Sequence, residues 1–361
     1  MDAHRIWVLG ATGRTGRAIA ARLAADRVPP VLVGRDPGRL RTLAGTLGDD
    51  VRIVVAGSVD AVVTQIGRQA PAVVVNTIGP FTETAAPIAR GGPPGTHYVD
   101  LANELTAVTG LLGLCDEAVA TGRCLVTGAG FGVLATESVV LRLCADRPPA
   151  TRVRVDAVPR AGAGAEPAGP VLAASIVEGL ALGGRRYEHG RLVRTRLGAD
   201  VERLALPDGT TVHTVGGPSG ELEAARRAGG APFVVAASSM VPAGWAARPA
   251  LPVAAVLLAR PLLGRAAKRW LAGVRITQGE RGGEFSWARA RVQDADGTIR
   301  VGWLRAGRSG EFTAAVAAEV ARRLARGEGR PGAHTPGSLF GPELAVKAGG
   351  RFLLDGDGTM A

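Results

Sequence analysis

Short apolar runs recur at nearly even intervals along the first 147 residues, and the segments between them have helical spacing. The run ending Ile6-Trp7-Val8-Leu9 predicts a strand over Arg5–Leu9, and the apolar positions from Arg17 to Leu23 predict a helix over Thr15–Ala25. The same alternation predicts strands at Pro30–Val33, Val51–Val55, Ala72–Asn76, Tyr98–Leu101 and Cys124–Thr127. Helices are expected at Pro37–Leu47, Val59–Arg68, Leu105–Ala120 and Val133–Cys144. Val/Ile/Leu runs without polar alternation suit strands of a parallel sheet covered on both faces. The expected fold class is therefore α/β, with a doubly wound parallel sheet.

Asp146-Arg147-Pro148-Pro149 interrupts this pattern, and the chain then changes character. Gly/Pro-rich linkers separate strand-like runs, with a helix near Leu172–Leu182 and a hairpin at Val292–Thr298 turning on Asp296-Gly297. The pattern suggests an antiparallel sheet with helices. Phe312–Ala325 is a strong helix, and the tail is expected to return to the first domain. The expected organisation is thus residues 1–147, an inserted α+β substrate and oligomerisation domain over 148–307, and a returning segment over 308–361.

Apolar residues make up 46% of the 361, enough for a sizeable core. The net charge of +11 comes almost wholly from arginine, since Lys268 and Lys347 are the two lysines. Codon bias in a GC-rich genome accounts for that charge; attraction of anionic cofactors, acidic carrier proteins or a membrane surface is the functional reading. Scattered arginines and 4% aromatics argue against a nucleic-acid partner. Cys115, Cys124 and Cys144 lack ligand spacing and fit small buried groups in a reducing cytoplasm. No signal peptide precedes the first strand, so a cytoplasmic location is expected. The apolar stretch Pro249–Gly264 is too short to span a bilayer and reads as a buried or interface segment, with peripheral membrane contact as the alternative.

Gly10-Ala11-Thr12-Gly13-Arg14-Thr15-Gly16, between a strand and a helix, is the most informative segment. The first glycine permits a tight turn, the second a close approach of phosphates, and the third close helix–strand packing. The helix start then offers N–H groups and a positive dipole end to a pyrophosphate. Arg35, at the end of the second strand, suits the 2′-phosphate of NADP, with Arg39 and Arg41 nearby; otherwise Asp36 is a ribose ligand. Asn76, Thr77, Gly79, Pro80 and Phe81 follow the fourth strand, where Gly79-Pro80 would turn across a cofactor and Phe81 would shield a nicotinamide. The alternative is an ordinary strand-to-helix turn capped by Thr82. Tyr98 and Asp100 are the candidate proton-handling residues, with Glu104 and His97 beside them in sequence. Tyr98 as a plain strand residue and Glu104 as a first-turn charge are the structural alternatives. Glu104, Gly130 and Phe131 are candidates on the substrate side. The dispersed histidines and cysteines suggest no metal site. Neither a Gly-x-Ser-x-Gly elbow nor a Tyr-x-x-x-Lys pair is present.

Together, Val8 to Gly16, Leu32 to Arg35, Val75 to Phe81, Gly95 to Leu101 with Glu104, and Gly128 to Phe131 resemble the saccharopine dehydrogenase-like oxidoreductases, whose bacterial members include trans-acting enoyl reductases. His334 to Leu344 is similar to that family's tail. The resemblance implies a Rossmann-type domain with an inserted α+β domain, and NAD(P)H-dependent reduction or its reverse. Two departures stand out. Relatives of the enoyl reductase type carry Gly-Phe-Asp-Ser where this chain has Gly130-Phe131-Gly132-Val133, and Ala161 to Gly169 lacks the serine of their glycine-rich stretch. The expectation is an NADPH-dependent reductase of a C=N or polarised C=C bond in a small or carrier-bound metabolite, NADPH being preferred to NADH and the chain a homodimer. A trans-acting enoyl reductase, and a non-catalytic NADP-binding regulator or membrane-associated scaffold, are the alternatives.

Overall fold

The computed structural model describes residues 6–160, 169–240, 257–258, 260–274 and 284–354. Two compact units divide the chain. The first comprises Met1–Ala102, Thr106–Gly130 and Gly310–Phe340; the second comprises Asn103–Leu105, Phe131–Ser309 and Gly341–Ala361.

In the first unit, β1 (Ile6–Leu9), β2 (Val31–Gly34), β3 (Arg52–Val55), β4 (Val73–Asn76), β5 (His97–Asp100) and β6 (Cys124–Val126) form one sheet. The carboxyl-terminal strand Gly332–His334 extends it, giving the order 332–334, β6, β5, β4, β1, β2, β3. Every pairing in it is parallel. The central strands are buried on both faces, whereas edge strand β3 is half-exposed. The helices α1 (Arg14–Ala25), α2 (Pro37–Leu47), α3 (Val59–Gln69) and α4 (Phe81–Arg90) alternate with the strands. The six strands and α1–α3 match the expected elements to within a residue or two, whereas α4 had no expected bounds. The expected helix over 105–120 is instead two, α5 (Leu105–Leu112) and α6 (Cys115–Ala120). The break falls at Gly113, where the Leu114 N–H donates to Leu111 O in a tightened last turn.

Apart from Asn103–Leu105, the second unit starts at Phe131, whereas the boundary expected from the sequence falls after residue 147. Its first element, 131–135, is a π-helical turn that runs into α7 (Thr136–Cys144), so the expected helix does not keep one period. The strands β7 (Arg152–Val158), β8 (Gly184–Glu188), β9 (Arg191–Thr195), β10 (Glu202–Ala205), β11 (Thr211–Gly216), β12 (Phe233–Ser238), β13 (Ser286–Gln293) and β14 (Ile299–Ala306) share one sheet with Arg351–Leu354. This sheet is mixed rather than purely antiparallel, because β12 runs parallel to β7. The β13–β14 hairpin turns at Asp296-Gly297 as expected, with Gly297 at φ 88. The tail divides: 310–340 belongs to the first unit, while Arg351–Leu354 pairs with β14 in the second. The glycine-rich 161–168 and most of Pro249–Gly264 lie outside the described residues.

One face of this sheet packs against α7 and α9 (Gly220–Gly229). A Cβ at Gly302 would meet Val139 Cγ1 at 3.1 Å, and one at Gly229 would meet Val153 Cγ2 at 2.8 Å. The opposite face holds a buried ion network around Asp156, which is fully buried. Arg154 Nη2 donates to Asp156 Oδ1 at 2.9 Å, and Thr214 Oγ1 donates to the same atom at 2.7 Å. Arg289 Nη1 reaches Glu202 Oε1 at 2.7 Å and Asp156 Oδ2 at 3.5 Å. Removing the central carboxylate leaves two nearly buried guanidiniums short of a partner. Asp156→Ala is therefore expected to cost about 3–5 kcal/mol in urea unfolding. A loss below about 1 kcal/mol would show that the network contributes only surface-like energy.

Candidate functional site

The strand order of the first sheet reverses between β1 and β4, and the carboxyl ends of those strands carry the glycine turn and the Asn76–Pro80 turn. Gly10 has φ 69, and a Cβ there would lie 2.8 Å from Thr77 Oγ1. Thr77 Oγ1 in turn donates to Leu9 O at 2.7 Å, locking the two turns together. A Cβ at Gly16 would lie 2.5 Å from Gly10 O, so only glycine lets α1 start this close to the strand. Gly13 is the N-cap of α1 and supplies no side-chain acceptor, and no acidic residue occupies the first turn. The first-turn N–H groups of Arg14, Thr15 and Gly16 thus keep the arrangement that receives an anion.

Beside this turn is a cavity of about 600 Å³ lined by Thr12, Arg17, Asp36, Arg39 and Thr42, among others. Arg39 Nη2 donates to Thr12 O at 3.5 Å. Asp36 caps α2, its Oδ1 accepting the Arg39 N–H at 3.0 Å. Arg35 is exposed and is not among the lining residues, so the arginines brought to the cavity are Arg17 and Arg39. Arg17 went unnoticed in the sequence, although it directly follows the third glycine.

Asn76 is buried and fully used within the unit. Its Nδ2 donates to Tyr98 Oη at 3.0 Å, and its Oδ1 accepts the Ile78 N–H at 2.9 Å. These bonds set the turn into Gly79-Pro80, whose peptide is cis. Pro80 rather than Thr82 is the N-cap of α4. Phe81 is 5% exposed and packs inward, so the accessible part of this segment is Thr77–Pro80.

Tyr98 and Asp100 are both buried at the end of β5. Burial and the neighbouring Asp100 push the Tyr98 phenol well above its ordinary value. Asp100 Oδ1 accepts three bonds, from Thr127 Oγ1 at 2.8 Å and from the Ala102 and Gly128 N–H groups at 3.1 Å. Its Oδ2 has no hydrogen-bond partner. Burial raises Asp100 to about 6 against the pull of those three donors and of the neighbouring Tyr98 hydroxyl. His97 Nδ1 accepts the Cys124 N–H at 3.0 Å and ties β5 to β6. Gly130 lies against Thr313 of α11 (Ser309–Ala325), whose Cγ2 would be 3.3 Å from an added Cβ. Among the described residues no group of three or more His, Cys, Asp or Glu is placed to hold a metal.

The second unit has its own cluster of buried acids. Glu104 accepts hydrogen bonds from Ser175 Oγ and from the Asn103 N–H. Phe131 is buried. Gly132, where the resemblance leads one to expect aspartate, is occupied from elsewhere: a Cβ there would lie 2.5 Å from Glu221 Oε1 and 3.2 Å from Asn103 Nδ2. Asn103 Nδ2 donates to Glu221 Oε1 at 3.3 Å, while Glu221 Oε2 has no partner. Burial raises the Glu221 carboxyl above its usual range. Nothing in the sequence signals this substitution, because 89 positions separate the two residues.

Saccharopine dehydrogenase (L-Glu forming) from Saccharomyces cerevisiae has a similar structure, with a TM-score of 0.61 over 97% of this chain and 99% of that one, at 13% identity. The chain therefore has a saccharopine dehydrogenase-like fold. Serine dehydrogenase from Escherichia coli covers 34% of this chain and 80% of its own at 16% identity, with a TM-score of 0.30, too low to define a shared fold. No family model and no curated protein sequence matches the chain significantly.

Two outcomes follow from these carboxyls. Gly132→Ala is expected to destabilise by about 1–3 kcal/mol through overpacking on Glu221. In the Glu221→Ala background that cost should fall by at least about 1 kcal/mol, measured by urea unfolding of all four proteins; strict additivity would place the Glu221 carboxyl elsewhere. Asp100 binds its proton more tightly folded than unfolded, so its contribution is fully present below about pH 4 and lost as pH rises through about 6. Across that window the wild type should lose about 3 kcal/mol relative to Asp100→Asn. Parallel pH profiles for the two proteins would refute the raised value.

Proposed function

We propose that this chain is an NADPH-dependent oxidoreductase that reduces a C=N or polarised C=C bond in a small or carrier-bound metabolite. The observation that carries the reading is the glycine turn packed against Thr77 at the strand reversal, beside a cavity lined by Arg17 and Arg39. The cradle fits a dinucleotide: no Cβ is tolerated at Gly10 or Gly16, and α1 begins without a side-chain cap. Arg39 and Arg17 are the proposed holders of the 2′-phosphate, with Arg35 outside the cavity. Asp36 supports this choice, since its Oδ1 is already engaged by the Arg39 N–H.

NADPH, when bound, supplies the hydride. The protein's residues must then hold the nucleotide, exclude water and manage one proton. Asp100 is the better candidate for the proton than Tyr98. Its carboxyl is raised to about 6, and one oxygen has no partner. The Tyr98 phenol already accepts the Asn76 amide, and its proton is held more tightly than in water. The burial of both groups also favours a second reading, an NADP-binding chain without turnover.

The test is separate titration with NADPH and NADH, repeated with Arg39→Ala and with Arg35→Ala. NADPH should bind at least tenfold more tightly, about 1.4 kcal/mol, and Arg39→Ala should abolish most of that preference. Arg35→Ala should change it less. If neither nucleotide binds, the oxidoreductase reading fails. If NADPH binds but is never consumed across a broad panel of imines and enoyl thioesters, the reading without turnover replaces it.

A further inference from the structure

The second unit carries a helix with an exposed apolar face. In α10 (Pro261–Gly273), Leu262 is 76% exposed, Trp270 73% and Leu263 44%. Leu262, Ala266 and Trp270 are spaced i, i+4 and i+8, so they form one apolar stripe along the helix. Arg265 and Arg269, both exposed, border that stripe on one side, and exposed Arg260 precedes the first turn. The inner face is occupied. Gly264 is buried, with Leu258 O 2.8 Å from where its Cβ would be. Lys268 Nζ pairs with Glu178 Oε1 at 2.7 Å, tying α10 to α8 (Gly169–Leu182).

Single exposed leucines need no explanation, but three large apolar side chains on one helix face mark an interaction surface. The charge beside the stripe says which kind. Between Glu223 and Glu280 the sequence contains no Asp or Glu. With Lys268 paired to Glu178, and Arg226 and Arg227 to Glu223, the exposed cations of this helix are Arg260, Arg265 and Arg269. Leu and Trp on one face with Arg along its edge is the composition of a helix lying in a lipid–water interface. The Trp indole has an apolar body and a polar N–H suited to that boundary, and Arg stems can lie on the apolar layer while their heads meet phosphates. No described helix is long and apolar enough to cross a membrane, so contact through α10 would be peripheral.

We propose that α10 docks this protein on an anionic phospholipid surface. Leu262, Leu263 and Trp270 enter the headgroup boundary, and Arg260, Arg265 and Arg269 meet lipid phosphates. An acidic protein surface would match the arginines but would leave the Leu262–Ala266–Trp270 stripe without a reason.

The experiment is co-sedimentation of the full chain with phosphatidylcholine vesicles, with and without about 30% phosphatidylglycerol. The wild type, Leu262→Ser/Trp270→Ser and Arg265→Gln/Arg269→Gln are compared, each checked for an unchanged far-ultraviolet circular dichroism melt. The wild type should sediment with the anionic vesicles. Binding should weaken at least about tenfold for phosphatidylcholine alone and for each double variant, and should fall with added salt. No sedimentation of the wild type, or equal sedimentation of wild type and variants, overturns the proposal. So does a concentration-dependent doubling of mass that the Leu262→Ser/Trp270→Ser variant abolishes without any vesicle binding, which would assign the face to a second copy of the chain.

Discussion

Two loops must leave the carboxyl edge of the first sheet side by side where strand order reverses, and there is less room between them than one methyl group needs. That close approach organises the first unit. Gly10 turns with a positive φ because Thr77 Oγ1 stands where its Cβ would be, and Thr77 is held there by its bond to Leu9 O. Gly16 then lets α1 begin against Gly10 O, so the helix start meets the crevice end-on with its N–H groups uncommitted to a side-chain cap. Asn76 spends both ends of its amide on the second loop, through Tyr98 Oη and the Ile78 N–H. A packing constraint and an anion-receptive surface are thus the same feature, since backbone donors can approach phosphates only where side chains are missing.

The buried carboxyls show how the molecule separates scaffold from chemistry. Asp156 meets two guanidiniums and a threonine hydroxyl, an arrangement that satisfies its charge locally. Asp100 has only neutral donors, three of them on one oxygen with the Tyr98 hydroxyl beside them, and burial outweighs them; Glu221 likewise has neutral donors, Ser219 and Asn103, and no cationic partner. With neutral donors alone, burial raises both the Asp100 and the Glu221 carboxyl above the usual carboxylate range. Glu221 also shows that the space above Gly132 is not an empty version of an aspartate site. A carboxyl reaches it from the start of α9, a different element, so the departure at 132 changes where the acid comes from rather than removing it.

The parallel sheet was legible because both its faces are covered, which forces uninterrupted apolar runs such as Val73–Val75 and Ile6–Leu9. The second sheet was not, beyond the 292–298 hairpin. Arg152–Val158 carries Arg152 and Arg154 on one face, and Arg191–Thr195 carries Arg191 and Arg194 on opposite faces, so neither shows a clean apolar alternation in the sequence. The helix expected over 133–144 hid a π-helical turn, whose wider spacing keeps the same buried residues out of a 3.6-residue period. Arg35 was favoured because it ends the second strand, the position that usually reads the ribose. The structure instead brings Arg39, one turn into α2, and Arg17, in α1, to the cavity, since a capping Asp36 turns the helix start toward Thr12. Phe81 looked like a shield from its place after Gly79-Pro80, yet as the first residue of α4 it points into the core.

Arginine enrichment is the feature that composition alone leaves most ambiguous, and the structure sorts it by partner. Arg154 and Arg289 are nearly buried and matched by Asp156 and Glu202, so they belong to the scaffold. Arg226 and Arg227 converge on Glu223, whose carboxyl is held down to about 2, and so brace α9. Arg17 and Arg39 line a cavity next to a helix start that already favours anions, where their charge adds to the dipole. Arg265 and Arg269 border an exposed apolar stripe in a segment with no carboxylate between Glu223 and Glu280. Codon bias can raise the number of arginines, but it does not by itself strip the acids from 56 consecutive residues. Such local imbalance, not the net charge of +11, distinguishes a surface built to meet anions from one that is merely basic.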